Sequence, residues 1–199
     1  MLSKKTISIF IFIIINIINL NYSYSIEPDV FVQSTVNRAS EALNNKYTVE
    51  QKIKKLKVIA SETVDINGIG LYTLGSYRKS ITSDQKKEYH RLFRQYFLKS
   101  FSSRLAEYSN PEIEVKTSKI INKNYTMVSS VLIHTDKRPE VKIDWRVYTK
   151  DLDNPLIRDL IIEGLSLVRT QKEEFASIIQ SNDGDIRALF NSLNKFIKN

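Results

Sequence analysis

The stretch VKIDWRVYTKDLDNPLIRDLIIEGLSLV, residues 141–168, decides the fold class because it contains two strands of different character. Its first eight residues alternate between apolar and polar side chains, with one apolar face formed by Val141, Ile143, Trp145 and Val147. After the turn KDLDNP, the second strand carries apolar residues on both faces, namely Leu156, Ile157, Leu160, Ile161 and Ile162. That pattern is typical of a strand covered on both sides, so something apolar must lie against this sheet.

Two further strands precede this hairpin. The segment SNP at 109–111 ends a helical half, and alternation then predicts strands at about 112–121, 125–134, 140–149 and 156–162. The connections NKN, TDKRP and KDLDNP are short enough for antiparallel hairpins. The sequence therefore predicts an antiparallel meander of about four strands.

Helical spacing dominates on both sides of the meander. The tetrapeptides TVEQ (48–51) and TSDQ (82–85) have the form of capping boxes, and Asp65 is placed to cap a shorter helix between them. After the meander, periodicity predicts one helix around TQKEEFASIIQS and a last helix after Gly184. This order predicts an α+β fold with helices laid on one face of the sheet.

The helix after Thr82 carries an apolar stripe that is aromatic at nearly every step, formed by Tyr89, Phe93, Tyr96, Phe97, Phe101, Leu105 and Tyr108. Aromatic residues on a helix stripe are most often core. An apolar sheet opposed by aromatic helices can also enclose an apolar ligand. Periodicity alone leaves both interpretations open.

The N-terminus has the three parts of a secretory signal: Lys4 and Lys5, then an apolar run from Ile7 to Leu20, then Ser23 and Ser25. We predict a signal peptide at 1–25, cleaved after Ser25, and one domain at 26–199. An uncleaved membrane tether is the alternative, but the run falls short of the roughly 20 residues that span a membrane. The chain has no cysteine, so its core must hold by packing alone.

The residue inventory argues against most catalytic, metal and nucleotide chemistry. The chain has two histidines, His90 and His134, and neither an HExxH motif nor a Walker loop, and the glycines of GIGLYTLG (68–75) suit close helix packing. Asp144 and Glu163 remain as candidate acid or base groups of a small enzyme acting on a hydrophobic substrate. The net charge of +8 is spread along the chain, and for an exported protein we expect no nucleic-acid partner.

Three stretches resemble the MlaC family, also called toluene-tolerance or periplasmic phospholipid-binding proteins. They are YTLGSYRKSITSDQKKEYHRLFRQYF (72–97), VKIDWRVY (141–148) and RDLIIEGLSLVRTQKEEFASIIQSNDGDIRALFNSL (158–193). The last is the most specific, and the resemblance covers about residues 28–195. The chain departs from the family at Ser83, where proline is frequent at the first helical position and serine is tolerated.

The resemblance implies a strongly curved antiparallel sheet with helices over its concave face, like a nuclear-transport-factor cone. It implies a cavity for the acyl chains of a phospholipid, which is cargo rather than a cofactor, and no catalysis. It also implies a periplasmic carrier, part of a system that maintains outer-membrane lipid asymmetry. Its partners would be an outer-membrane lipoprotein-porin complex and an inner-membrane ABC transporter with a lipid-binding substrate domain. We expect a monomer.

We predict cavity residues from the apolar strand faces and the helices opposite them. On the sheet they are Val131, Ile133, Val141, Ile143, Trp145, Val147, Leu160 and Ile162. On the helical side they are Tyr72, Leu74, Phe93, Tyr96, Phe97 and Phe101. Which of these line a cavity and which are plain core stays open, because a shift of one residue reverses the facing of a strand.

Overall fold

The computed structural model describes residues 25–133 and 139–199, and within these ranges the elements follow the predicted order of helices, meander and helices. The first half holds α1 (Pro28–Ala42), α2 (Val49–Thr63), α3 (Ile66–Thr73), a 3₁₀ helix (Gly75–Lys79) and α4 (Ser83–Ala106). The second half holds β1 (Ile113–Asn122), β2 (Tyr125–Leu132), β3 (Val141–Tyr148), β4 (Leu156–Ile162), β5 (Leu165–Ser166), α5 (Leu167–Gln180) and α6 (Ile186–Lys198). The predicted signal peptide, apart from Ser25, and His134 lie outside the described residues.

Side-chain caps fix where the helices begin. Thr48 and Thr82 each accept a hydrogen bond from the backbone N–H of the glutamine three residues on, whose side chain accepts from the threonine N–H in return. Both predicted capping boxes are therefore confirmed. Asp65 opens α3 as predicted, because its Oδ1 accepts from the N–H of Gly68 at 2.8 Å. The apolar stripe predicted for α4 runs to Tyr108, two residues beyond the end of the helix at Ala106.

The sheet is antiparallel, with its strands in chain order from β1 to β5. The four predicted strands are present, and the short β5 adds a fifth that pairs with the end of β4. Most side chains of the edge strand β1 are exposed, and irregularities near Lys116 and Ile121 interrupt its pairing with β2. A further irregularity leaves Arg158 of β4 without a partner residue on β3.

One face of the sheet, here called the Trp145 face, packs against α1. Its buried residues and those of α1 that touch them are Val128, Trp145, Val147, Ile157, Val32 and Val36. The indole Nε1 of Trp145 donates to the buried hydroxyl of Ser130 at 2.8 Å. A helix of the same chain, α1, therefore covers much of the apolar face that the alternation of the β3 sequence predicts.

The opposite face, here called the Arg146 face, contains Val131. Val131 pairs with Lys142, whereas Ile143 pairs with Ser130, so the predicted facing of Val131 on the same side as Ile143 is wrong. The β2 sequence has apolar residues on both faces, and Ser130 lies on the buried one, where its hydroxyl accepts from Trp145. Ile133, also predicted inside the strand, lies one residue beyond β2, where its N–H donates to the carbonyl of Glu112.

Helices α3 to α6 form a second core. It buries Ile66, Ile69, Leu74, Tyr89, Leu92, Phe93, Phe175, Ile179, Ile186, Leu189, Phe190 and Leu193. A Cβ atom at Gly70 would lie 2.8 Å from Cδ1 of Phe93, which confirms close helix packing for that glycine. Among the helices of the described ranges, none combines the length and the apolar character that crossing a membrane requires.

Candidate ligand-binding cavity

A cavity of about 550 Å³ lies between the Arg146 face of the sheet and α3. This volume is within the range of about 300–1,000 Å³ that small-molecule sites occupy. Its lining comes from α3, the 3₁₀ helix, the sheet and the start of α5, and consists of Gly68, Ile69, Leu71, Tyr72, Arg78, Ile121, Asn122, Tyr125, Arg146, Arg158, Asp159 and Val168.

Part of the cavity wall is apolar, with Ile69 and Leu71 from α3 and Val168 from α5. Two large apolar side chains in the lining are open to solvent, since Tyr72 is 42% exposed and Ile121 is 47% exposed. Ile121 occupies the second irregularity of β1, where an extra residue locally changes the direction of the strand. The cavity therefore has apolar side chains both inside it and at its opening.

Another part of the wall consists of Arg78, Arg146 and Arg158, here called the arginine wall. Arg158 is the most firmly held, because its Nε donates to Asp65 at 2.6 Å and one terminal nitrogen donates to the hydroxyl of Tyr125 at 2.7 Å. Its guanidinium carbon also lies 3.6 Å from the ring centroid of Tyr148. Burial acts to lower the pKa of Arg158, but the bonds to Tyr125 and Asp65 outweigh it and raise that pKa.

Asp159 is the one carboxylate in the described lining of this cavity, and it is almost fully buried. Its oxygens accept from the hydroxyl of Ser166 at 2.6 Å and from the N–H of Val168 at 3.2 Å, at the start of α5. The positive end of that helix favours a negative charge at this place. Arg146 approaches Asp159 less closely, with a nitrogen 3.5 Å from Oδ2.

Within the described ranges, Tyr72 is the one member of the predicted cavity set that lines this cavity. Ile143, Trp145, Val147 and Leu160 lie instead in the layer between the sheet and α1. Val141 and Ile162 are partly buried at strand ends. Val131 lies on the Arg146 face, and Ile133 lies one residue beyond the end of β2. Contact between any of these sheet residues and a ligand stays a prediction.

The other predicted helical residues form a mainly aromatic cluster next to the cavity and are not part of its lining. Leu74 and Phe93 are buried in the second core, and Tyr96 and Phe97 pack against it. Phe101 stacks on Phe97 with their centroids 5.7 Å apart. Burial raises the pKa of Tyr96, whose hydroxyl donates to the side chain of Gln171 at 2.7 Å.

The polar lining is what sequence reasoning missed. Arg158 and Asp159 stand side by side inside a strand that is otherwise apolar, and charged residues inside a covered strand are seldom there without a partner or a function. That pair was the available signal. The sequence gives no such signal for Arg78 and Arg146, because each occupies a position where an ordinary exposed cation is expected.

The carboxylates considered for an enzyme do not line the cavity. Asp144 accepts from Ser129 at 2.6 Å and pairs with Lys142 on the Arg146 face, and Glu163 accepts from the backbone N–H of Lys142. The described residues contain no group of three or more histidine or acidic side chains arranged to hold a metal ion. A second depression, at the corner between α5 and α6, is lined mainly by polar residues.

Comparisons with known proteins agree with this fold. A solved structure of the phospholipid-binding protein from Ralstonia solanacearum, in complex with a phospholipid, superimposes with a TM-score of 0.71. The alignment covers 86% of this chain and 97% of that chain at 18% sequence identity, which shows a shared fold. The family model described as MlaC protein matches residues 32–195, which is most of the chain. The chain therefore belongs to the MlaC family.

Proposed function

We propose that this protein binds a phospholipid in the cavity beside the Arg146 face and carries it through the periplasm. The observation that supports this most directly is a ligand-sized cavity with apolar side chains along its wall and at its opening. Membership of the MlaC family and the shared fold with a protein solved in complex with a phospholipid point to the same ligand class.

The apolar wall matters because acyl chains are costly to expose to water. Burying one methylene is worth about 0.8 kcal/mol, so two acyl chains with roughly 30 methylenes would cost about 24 kcal/mol in water. A cavity lined by Ile69, Leu71 and Val168 offers an environment similar to a bilayer interior. Loading from a membrane is then close to neutral in free energy, as a carrier requires.

We further propose that the partners determine the direction of transport. The sequence has no Walker loop, so the energy for directional movement would come from an inner-membrane ABC transporter with a lipid-binding substrate domain. The other partner would be an outer-membrane lipoprotein-porin complex. The signal-like N-terminus supports delivery to the periplasm, with cleavage after Ser25 and residues 26–199 as the carrier domain.

The test is to express the full chain in a bacterial host, purify it from the envelope, extract it with organic solvent and identify the extracted lipid by mass spectrometry. We expect close to one unaltered phospholipid per protein and a mature N-terminus near Ile26. A chain that carries no phospholipid after such purification would contradict the proposal. Conversion of added phospholipid to a product would favour an enzyme instead.

Two neighbouring residues of β1 provide a matched pair of variants. Ile121 lines the cavity, whereas Ile120 is 77% exposed and lies outside it. We expect Ile121→Glu to reduce the recovered phospholipid several-fold, because it replaces an apolar side chain of the lining with a charged group that acyl chains cannot solvate. Ile120→Glu adds the same charge one residue away and should retain the wild-type amount. Equal amounts in the two variants would show that this cavity is not where the lipid lies.

A further inference from the structure

The arginine wall gives the cavity more positive than negative charge. Among the described lining residues three arginines stand against one carboxylate, that of Asp159. Lys172 adds a positive charge nearby, with Nζ 5.3 Å from the ring centroid of the lining residue Tyr72. A cavity intended only for acyl chains needs no cation, and a charge facing an apolar space is costly without a partner. The question is which of these cations are already committed to partners in the protein.

The guanidinium of Arg158 is already bound by neighbouring side chains. Asp65 supplies the opposite charge, Tyr125 accepts a second hydrogen bond, and Tyr148 covers the guanidinium plane. These contacts account for its presence in the wall as a link between the sheet and α3. We therefore place Arg158 as a residue that positions the wall rather than as a free ligand-binding group.

Arg146 forms only a weak ion pair, with Asp159. Its partner Asp159 already has two hydrogen bonds, from Ser166 and Val168, and a helix start to stabilise its charge. The 3.5 Å separation between Arg146 and Asp159 is longer than the roughly 2.7–2.9 Å of a charge-assisted hydrogen bond. The Arg146 side chain is 40% exposed, so its guanidinium can still donate to a ligand.

Arg78 has no ion-pair or hydrogen-bond partner on its side chain among the described residues. It lies near the end of the 3₁₀ helix, is exposed, and lines the same cavity as Arg146. It therefore adds a second available guanidinium to the cavity lining, from the 3₁₀ helix, beside the one that Arg146 supplies from the sheet.

We infer that Arg78 and Arg146 bind the phosphate group of the lipid, so that the phosphate lies at the arginine wall and the acyl chains extend along the apolar wall. This inference rests on the proposed function. A guanidinium matches phosphate oxygens with two parallel hydrogen bonds, and it does so better than any other side chain. The ligand class is therefore a phosphate-bearing lipid, selected over a lipid with the same acyl chains and no phosphate.

The test compares two lipids that differ only in the phosphate headgroup. Delipidated protein is loaded from non-ionic detergent micelles that contain either phosphatidylglycerol or diacylglycerol with identical acyl chains, and bound lipid is measured by mass spectrometry. We expect wild type to prefer phosphatidylglycerol by about tenfold or more, as charge-assisted hydrogen bonds predict. Arg78→Gln and Arg146→Gln should each weaken this preference, and the double variant should lose it while still binding diacylglycerol.

Arg91→Gln is the matched control, because Arg91 is an exposed arginine of α4 outside the cavity lining. It should keep the wild-type preference. Inorganic phosphate alone is the third probe; we expect it to bind far more weakly than phosphatidylglycerol, because it cannot use the apolar wall. Equal binding of free phosphate and phospholipid would overturn the assignment to a lipid phosphate.

The remaining outcomes separate the two proposals. Equal loading of both lipids into wild type, or an unchanged preference in the double variant, would overturn phosphate recognition and leave lipid binding standing. Loading of neither lipid into wild type would overturn both. Retained diacylglycerol binding in the double variant also shows that the variant is folded, so a lost preference cannot be attributed to unfolding.

Discussion

Asp65 and Arg158 join the helical layer to the sheet, with Oδ2 of Asp65 2.6 Å from Nε of Arg158. The same carboxylate caps α3 through its other oxygen, which accepts from the N–H of Gly68. One side chain therefore starts the helix that lines the cavity and attaches that helix to β4. The irregularity at Arg158 in β4 allows this contact, since it frees Arg158 from a regular position opposite β3.

The first prediction separates these two roles of Asp65. Asp65→Ala removes both the cap and the ion pair and should lower the free energy of unfolding by about 2–4 kcal/mol. Asp65→Asn keeps an oxygen that can cap α3 and should cost roughly half as much. Urea denaturation of both variants measures the difference. Equal losses would mean that the cap contributes little.

The second prediction concerns the buried hydroxyl pair of Thr73 and Tyr89, whose oxygens lie 2.8 Å apart. Thr73 also donates to the carbonyl of Gly70, so it keeps a partner when Tyr89 is changed to Phe. Thr73→Val instead leaves the Tyr89 hydroxyl buried and unpaired, which costs about 1–3 kcal/mol.

Tyr89→Phe should lower the free energy of unfolding less than Thr73→Val does. Burial raises the pKa of Tyr89, so its hydroxyl stays protonated in the folded protein at neutral pH. Chemical denaturation at neutral pH measures both. A larger loss for Tyr89→Phe would indicate that the phenol oxygen has a partner beyond Thr73.

The third prediction is a pH dependence that arises from His90. Burial, with a smaller effect of Lys86, lowers the pKa of His90 below its ordinary value of 6.5. The unfolded chain therefore binds a proton more readily than the folded one as the pH falls through about 6.5, and the free energy of unfolding decreases there.

His90→Gln removes this contribution, whereas the carboxylates titrate alike in both proteins. We expect wild type to lose more stability than the variant between about pH 7.5 and pH 5. Denaturation curves at both pH values give the comparison. Identical losses would place His90 in an environment that does not distinguish its two protonation states.

The fourth prediction is that lipid removal lowers the melting temperature. A ligand that binds the folded state alone stabilises it by about 2.7 kcal/mol at a concentration 100 times its Kd. Delipidated wild type and delipidated Ile121→Glu should therefore melt below lipid-loaded wild type, and added phospholipid should restore only wild type. Calorimetry measures these shifts. Restoration of both proteins would place the lipid away from Ile121.

Local signals in the sequence predict most of the secondary structure. The capping boxes at Thr48 and Thr82 and the alternation of β3 describe interactions between residues close in the chain, and the structure contains them. The facing of β3 also follows from its alternation, since Trp145 and Val147 are buried on one side. These features need no knowledge of what the sheet packs against.

The site depends on long-range packing, which those signals do not contain. Nothing in the strand pattern indicates that α1 covers the Trp145 face, so the alternation of β3 leaves open whether that face is core or cavity wall. In the structure much of it is core. The sequence of β2 does not fix the facing of Val131, because β2 has apolar residues on both faces and a polar residue, Ser130, on the buried one, where it accepts from Trp145. Arg158 has no residue opposite it on β3, and this irregularity changes which side chains of β4 share a face. Regular alternation does not predict such a change.

The exposed edge of β1 has a consequence for how the protein behaves at high concentration. An open strand edge invites pairing with a second copy, and natural proteins prevent this with irregular strands and lysine side chains. β1 has both, with irregularities near Lys116 and Ile121 and a further lysine at 119. Crowded copies should therefore resist edge-to-edge stacking into aggregates and stay separate.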